Sequence, residues 1–186
     1  VRNHAGIVRR QAGLGSGVTA GAVARFPARH IDVIEIEASV VHAAERWFIE
    51  ENHDVLSDPR VSLQVEDARN FVALTEKKYD VIVSEPSNPW MAGSSTLFTL
   101  EHFRNLAAIL KEDGVISQWV QSYGMNTALV KSVFRTFREV FPHTFLIGDP
   151  AGANDFILVG SRKPLWIREE ALRRSLELPG VKKDLA

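Results

Sequence analysis

Short runs of β-branched and aliphatic residues alternate with stretches of helical period along almost the whole chain. That alternation is what most limits the folds open to it. Ile31-Asp32-Val33-Ile34-Glu35-Ile36 reads as a buried strand ending in acids. From 38 to 50 the period becomes helical, with Val40, Val41, Ala44, Trp47 and Phe48 on one side. Val61–Val65 alternates as a strand, and Tyr79–Val83 is a second buried apolar run. Leu100, Phe103, Leu106, Ala107 and Leu110 return to helical spacing, and Asp113-Gly114 signals a stop and turn before a strand at Val115–Trp119. Leu129, Val133, Phe137 and Val140 mark another amphipathic helix, ended by Pro142. Thr144–Ile147 and Phe156–Val159, separated by a Gly/Pro/Asn-rich stretch at 148–154, read as a closing antiparallel pair. A short helix is expected over 168–178, with 179–186 fraying.

Strand and helix in this order imply crossover units and a mainly parallel, doubly wound α/β sheet. The chain has 186 residues, which favours a single domain, and 45% hydrophobic content is enough for a sizeable core. Its 22 Lys+Arg against 23 Asp+Glu leave a net charge of -1, so there is no electrostatic reason to expect nucleic acid or an anionic membrane. Cysteine is absent, which excludes disulfides and thiolate chemistry and suits a reducing, cytoplasmic setting. The six histidines are scattered singly, so no metal site is expected. No apolar run approaches the roughly 18–20 residues of a membrane span, and the first residues lack the apolar stretch of a signal peptide.

In open sheets of this kind ligands bind beyond the carboxyl ends of the strands. The first such end carries Gly13-Leu14-Gly15-Ser16-Gly17, then a helix-compatible run from Val18 to Phe26. Glycines permit the tight turn and bring ligand close to N–H groups at a helix start. By itself the motif is equally a plain strand-to-helix turn. Glu35, 18 residues after Gly17, ends the second strand, where an ionised carboxylate can accept from both ribose hydroxyls. Taken with the turn it points to a nucleoside site, whereas alone it would read as a solvated charge. Glu66-Asp67 follows the third strand, and Asp67 can accept the exocyclic amine of adenine or cap the helix around 68–74. After the fourth strand, Ser84-Glu85-Pro86-Ser87-Asn88-Pro89-Trp90 is a loop stiffened by two prolines. Glu85 would face the cleft partly desolvated, able to bind an ammonium and act as a base. Trp90 fits a hydrophobic lid. Gln118, Gln121 and Tyr123 trail the fifth strand and could line the same cleft.

Together these motifs resemble the spermidine/spermine synthase (polyamine aminopropyltransferase) family over about Gly13 to Gly160. The resemblance is carried above all by Tyr79–Trp90 with Leu97-Phe98, and is nearest to the bacterial branch, often fused to membrane segments, that has a Glu-Pro-Ser-Asn-Pro-Trp loop. It implies the fold of class I S-adenosylmethionine-dependent methyltransferases. It further implies a transferase of polyamine biosynthesis that moves an aminopropyl group from decarboxylated S-adenosylmethionine to a small amine. Gly13, Gly15, Ser16, Gly17, Glu35, Asp67, Ala68 and Ser84 would then bind the nucleoside co-substrate, and Glu85 would be the catalytic base. Ser87, Asn88, Trp90, Gln118 and Tyr123 would line the acceptor side, with no metal involved.

Three positions depart from the family pattern. Ser16 replaces the acid that grips the aminopropyl ammonium, Asn88 replaces the second acid of the acceptor loop, and Glu85 stands for an Asp. Each lost carboxylate forfeits a charge-assisted contact. Two other readings therefore stay open: a methyltransferase using intact S-adenosylmethionine, and a truncated or non-catalytic nucleoside-binding domain. An NAD-dependent dehydrogenase has no use for the Glu85–Pro89 loop. Arg9, Arg10 and Gln11 stand where a central strand should be dry, so an incomplete or atypical N-terminal strand is expected. The organisation expected is an atypical segment at 1–12, the nucleoside-binding catalytic domain at 13–160, and a helix and tail at 161–186. The family's small N-terminal β-domain has no counterpart here, which leaves open a fragment of a longer protein or a chain whose true start differs from the one given, with homodimerisation also open.

Overall fold

The structure, a computed structural model, describes residues 8–86, 90, 93–148 and 155–185, with the backbone alone for 8–12. β1 (Val8–Ala12) lies between β2 (His30–Glu35) and β4 (Tyr79–Ser84) and is parallel to both. β3 (Val61–Val65) continues the sheet past β2, and β5 (Leu110–Gln121) past β4, again in parallel. β7 (Asp155–Ser161) runs antiparallel beside β5, and β6 (His143–Gly148) forms the edge, antiparallel to β7. The order β3-β2-β1-β4-β5-β7-β6 is the expected doubly wound α/β sheet, and its direction of winding reverses between β1 and β4. Among the described residues the N-terminal strand comprises Val8–Ala12 and lies inside the sheet, between β2 and β4.

Two apolar layers hold the sheet. α1 (Val18–Ala24) and α2 (Ala38–Trp47) cover one side, where Leu14, Ala20, Val41 and Ala44 pack with Ile31 and Val33. On the other side are α3 (Ala68–Leu74), α4 (Leu100–Ile109) and α5 (Thr127–Val140), with Phe71, Phe103, Leu106, Phe137 and Phe141 against Ile82, Ile116 and Leu158. Thr99 and Asn126 cap α4 and α5 by accepting from His102 and Leu129 N–H groups, which satisfies donors that a helix start leaves open.

Three expectations are corrected. The apolar stripe at 38–50 is shorter than its period suggests: α2 ends at Trp47, Phe48 leaves helical geometry, and these rings are 70% and 40% exposed. Asp113-Gly114 does not precede a fresh strand. β5 begins at Leu110 and bulges there, so that Tyr79 pairs with Leu110 but Val81 with Val115. The tail does not fray. After α6 (Glu169–Leu176), α7 (Pro179–Asp184) starts on a proline suited to a first turn, and buries Val181. Asp184 then pairs with Arg25 at 3.2 Å and His53 at 3.3 Å.

Midway along β2, Asp32 is fully buried. It accepts from Lys77 Nζ at 2.9 Å and Tyr79 Oη at 2.8 Å, and His30 Nε2 lies 2.9 Å away. Burial pushes the carboxyl up, but hydrogen bonds from Lys77, Tyr79 and His30 outweigh it and hold Asp32 below the ordinary aspartate value. A depressed native value adds stability above the unfolded value, and that stability fades as pH falls through it toward the native one. Asp32→Asn is therefore expected to cost about 1–3 kcal/mol at pH 7, with the gap to wild type narrowing at pH 3. Urea denaturation at both pH values measures this, and an equal loss at both would show that the charge of Asp32 is not what stabilises.

Candidate active site

The carboxyl ends of β1 to β5 lie along one edge of the sheet, and a cavity of about 570 Å³ opens there. That volume suits a nucleoside-sized ligand. Gly13, Leu14, Gly15 and Ser16 form one wall, Glu35 and Ile36 a second, Asp67 to Arg69 a third, and Glu85 with Pro86 a fourth. The turn leaves β1 with Gly13, Gly15 and Gly17 at φ 87°, 55° and 84°, all in the left-handed region. At Gly13 space adds to conformation: a Cβ there would lie 3.1 Å from the carbonyl oxygen of Glu85. The glycine turn and the start of the loop after β4 thus approach closely through main chain, at the point where the sheet's winding reverses.

Glu35 is 7% exposed and fixes the turn from β2. Its Oε2 accepts from Leu14 N–H at 2.8 Å and its Oε1 from Glu37 N–H at 3.0 Å. An ionised carboxylate has about four acceptor positions, so one on each oxygen remains beyond these bonds, and Glu35 lines the cavity. Asp67 does cap α3, accepting from Arg69 N–H at 2.8 Å. The Arg69 guanidinium clasps the same carboxylate, which holds Asp67 below the ordinary aspartate value, and reaches Thr96 Oγ1 at 2.9 Å. Glu85 is half-buried. Burial pushes its carboxyl above the ordinary glutamate value, and a hydrogen bond to Thr19 only partly offsets this. Among the described residues no group of His, Asp and Glu is placed to hold a metal ion.

The structure brings Gly13, Gly15, Ser16, Glu35, Asp67, Ala68 and Glu85 to one cavity. Other residues predicted for the site do not line it. Gly17 is buried against Asn52, and Ser84 is buried as the last residue of β4. Gln118 is fully buried on the face of β5 shared with Ile116 and Val120, while its neighbour Trp119 lines the cavity. Alternation along the strand decides this, since a shift of one residue exchanges the two faces. Gln118 Nε2 donates to Trp119 O at 2.9 Å. Trp90 and Tyr123 meet edge to face at 5.0 Å, both exposed and neither in the lining. Ser87 and Asn88 lie outside the described residues. Thr19, Arg69 and Trp119 line the cavity without having been singled out by sequence, and Leu97, part of the motif behind the resemblance, lines it too.

No helix among the described residues is long and apolar enough to cross a membrane. In fold the chain is like a spermidine synthase solved with the transition-state analogue AdoDATO, with a TM-score of 0.75 at 20% identity over 97% of this chain and 69% of that one. Human methyltransferase-like protein 13, solved with SAH, gives a TM-score of 0.73 at 20% identity over 97% and 82%. In sequence it is 34% identical to the polyamine aminopropyltransferase of Clostridium perfringens over 136 residues, 70% of this chain and 46% of that protein. The chain spans about half the length of the curated relatives it matches. Residues 13–147 match the spermine/spermidine synthase domain, and with most of its length accounted for in this way, the chain belongs to that family.

Proposed function

We propose that this domain transfers an aminopropyl group from decarboxylated S-adenosylmethionine to a small amine, as a step of polyamine biosynthesis. The observation that carries this reading is the meeting, in one cavity, of the glycine turn, Glu35 and a half-buried Glu85 with a raised pKa. The two remaining acceptor positions of Glu35 take the ribose hydroxyls. Ile36 and Leu97 offer apolar contact to the adenine ring, with Asp67 and the Ala68 backbone at its polar edge. Glu85 holds the incoming amine and accepts its proton as nitrogen bonds to the aminopropyl carbon. The carbon–sulfur bond breaks, its electron pair returns to sulfur, and methylthioadenosine leaves as a neutral thioether. This chemistry needs alignment and a base.

The names of the relatives support this reading, as does the fold shared with the AdoDATO complex. Calorimetry with methylthioadenosine and decarboxylated S-adenosylmethionine tests it directly. Micromolar binding of both, followed by methylthioadenosine release when diamines are added, is the expected result. Absence of binding by the folded chain would refute it.

A further inference from the structure

Gly13 to Ser16 line the cavity, but Gly17 turns away from it onto Asn52, a residue from a different part of the chain and only 2% exposed. Asn52 Nδ2 donates to Ser16 O at 3.0 Å and to Ala44 O at 3.1 Å. One amide nitrogen therefore ties the glycine turn to α2. The fit is close: a Cβ on Gly17 would lie 3.0 Å from Asn52 Nδ2, and one on Gly21 would lie 2.4 Å from Asn52 O. The first two turns of α1 can seat only because both positions lack a side chain.

The bend that delivers Asn52 is itself constrained. Asn52 N–H donates to Phe48 O at 2.8 Å and Asp54 N–H to Ile49 O at 2.9 Å. His53 and Asp54 take φ of 59° and 51°, a region that residues with a Cβ enter rarely and at a cost. Such a conformation persists only where surrounding contacts enforce it. Here it places a buried double donor behind the peptide that joins Ser16 to Gly17.

We propose that Asn52 is a positioning residue for the nucleoside, fixing the backbone of the glycine turn from behind without touching ligand. This rests on the nucleoside-site reading above. Glu35 holds the front of the turn through Leu14 N–H, and Asn52 holds its back through Ser16 O. Without the rear tie, the Ser16–Gly17 peptide is held only by its N–H to Leu14 O at 2.9 Å, and the turn that lines the cavity loses part of its alignment. A preformed turn saves the nucleoside the entropy of ordering it.

Asn52→Ala removes the tie, and Asn52→Asp sets a carboxylate oxygen against two carbonyls at almost unchanged size. In each variant, hydrogen exchange at the Ser16 and Gly17 amides of the ligand-free chain should quicken about tenfold, while amides of β4 stay unchanged. The dissociation constant for methylthioadenosine should rise at least about tenfold. In turnover, KM for the nucleoside co-substrate should rise while kcat and the acceptor KM hold, a split that general destabilisation does not produce. Folded variants with wild-type exchange at these amides, or with affinity within about twofold of wild type, overturn the proposal. If the unaltered chain binds no methylthioadenosine, the nucleoside reading fails, and the exchange data alone decide whether Asn52 fixes the turn. Should both variants unfold, Gly21→Ala displaces the same bend from its other side, and unchanged affinity there overturns the proposal equally.

Discussion

Glu85→Gln is expected to lower kcat about 10²–10⁴-fold and, at the same time, to raise the melting temperature of the ligand-free chain at pH 7–8. Both effects come from one cause. Burial makes the charged carboxylate unfavourable, so the native value lies above the unfolded one. Between the two values the native chain keeps a proton that the unfolded chain has released. Stability therefore falls as pH rises from the unfolded value through the native one, and stays low above it. Glutamine keeps the shape without the charge, so the gain should be present at neutral pH and vanish near pH 4. Each kcal/mol relieved corresponds to roughly 2–4 °C for a chain of this size.

The pH–rate profile adds a second signature. A base works only when ionised, so the acid limb of kcat/KM, which reports the free enzyme, should lie above the usual carboxylate range. Thr19→Val removes the hydrogen bond that favours the charged form, and should move that limb further up. Scanning calorimetry of Glu85→Gln at pH 4 and pH 8, with the two pH–rate profiles, measures all of this. A melting temperature that falls equally at both pH values would show that Glu85 is a structural carboxylate.

Glu35→Gln is expected to weaken methylthioadenosine binding about 100-fold or more and to destabilise the empty chain as well. An amide can accept only on its oxygen, so its NH₂ must face either the Leu14 or the Glu37 N–H that Glu35 now serves at 2.8 and 3.0 Å. A buried donor left unmatched costs about 1–3 kcal/mol. On the proposed reading the same substitution removes an acceptor for one ribose hydroxyl and weakens the other by taking away the charge, and a hydrogen bond to a charged group is worth about 1.5–3 kcal/mol. Titration calorimetry reads the affinity, and urea denaturation the stability. An affinity loss without any loss of stability would mean that the Leu14 tie contributes nothing before ligand arrives.

Sequence patterning carried most of the fold because its strands are of two easily recognised kinds. β2 and β4 are short apolar runs covered on both faces, and β5 alternates cleanly where one face meets α4 and α5. Register was harder to read. Gln118 and Trp119 are adjacent, and polarity favours the glutamine as a ligand, yet the pleat gives the cavity to the tryptophan and the core to the glutamine. Asp67 combined both of its sequence readings in one place, since it caps α3 and lines the cavity. Thr19 and Asn52 left no local signal. Their significance depends on Glu85 and Ser16, 66 and 36 positions away along the chain, which the strand order brings alongside. The order of the tail leaves no local signal either, because Arg25, which anchors Asp184, is 159 positions away and His53 is also far along the chain.

The contact between Gly13 and the Glu85 carbonyl has a consequence for how such a domain can change over time. On the proposed reading the nucleoside is held at the ends of β1, β2 and β3 and the acceptor is met by Glu85 after β4, with the junction where β1 pairs with β4. Substitutions at acceptor-facing positions can then be sampled without reopening the glycine turn, so that acceptor preference drifts while the nucleoside contacts, Leu97 among them, are inherited intact. Variation confined to one side of that junction is the pattern expected when one scaffold is reused for many amines.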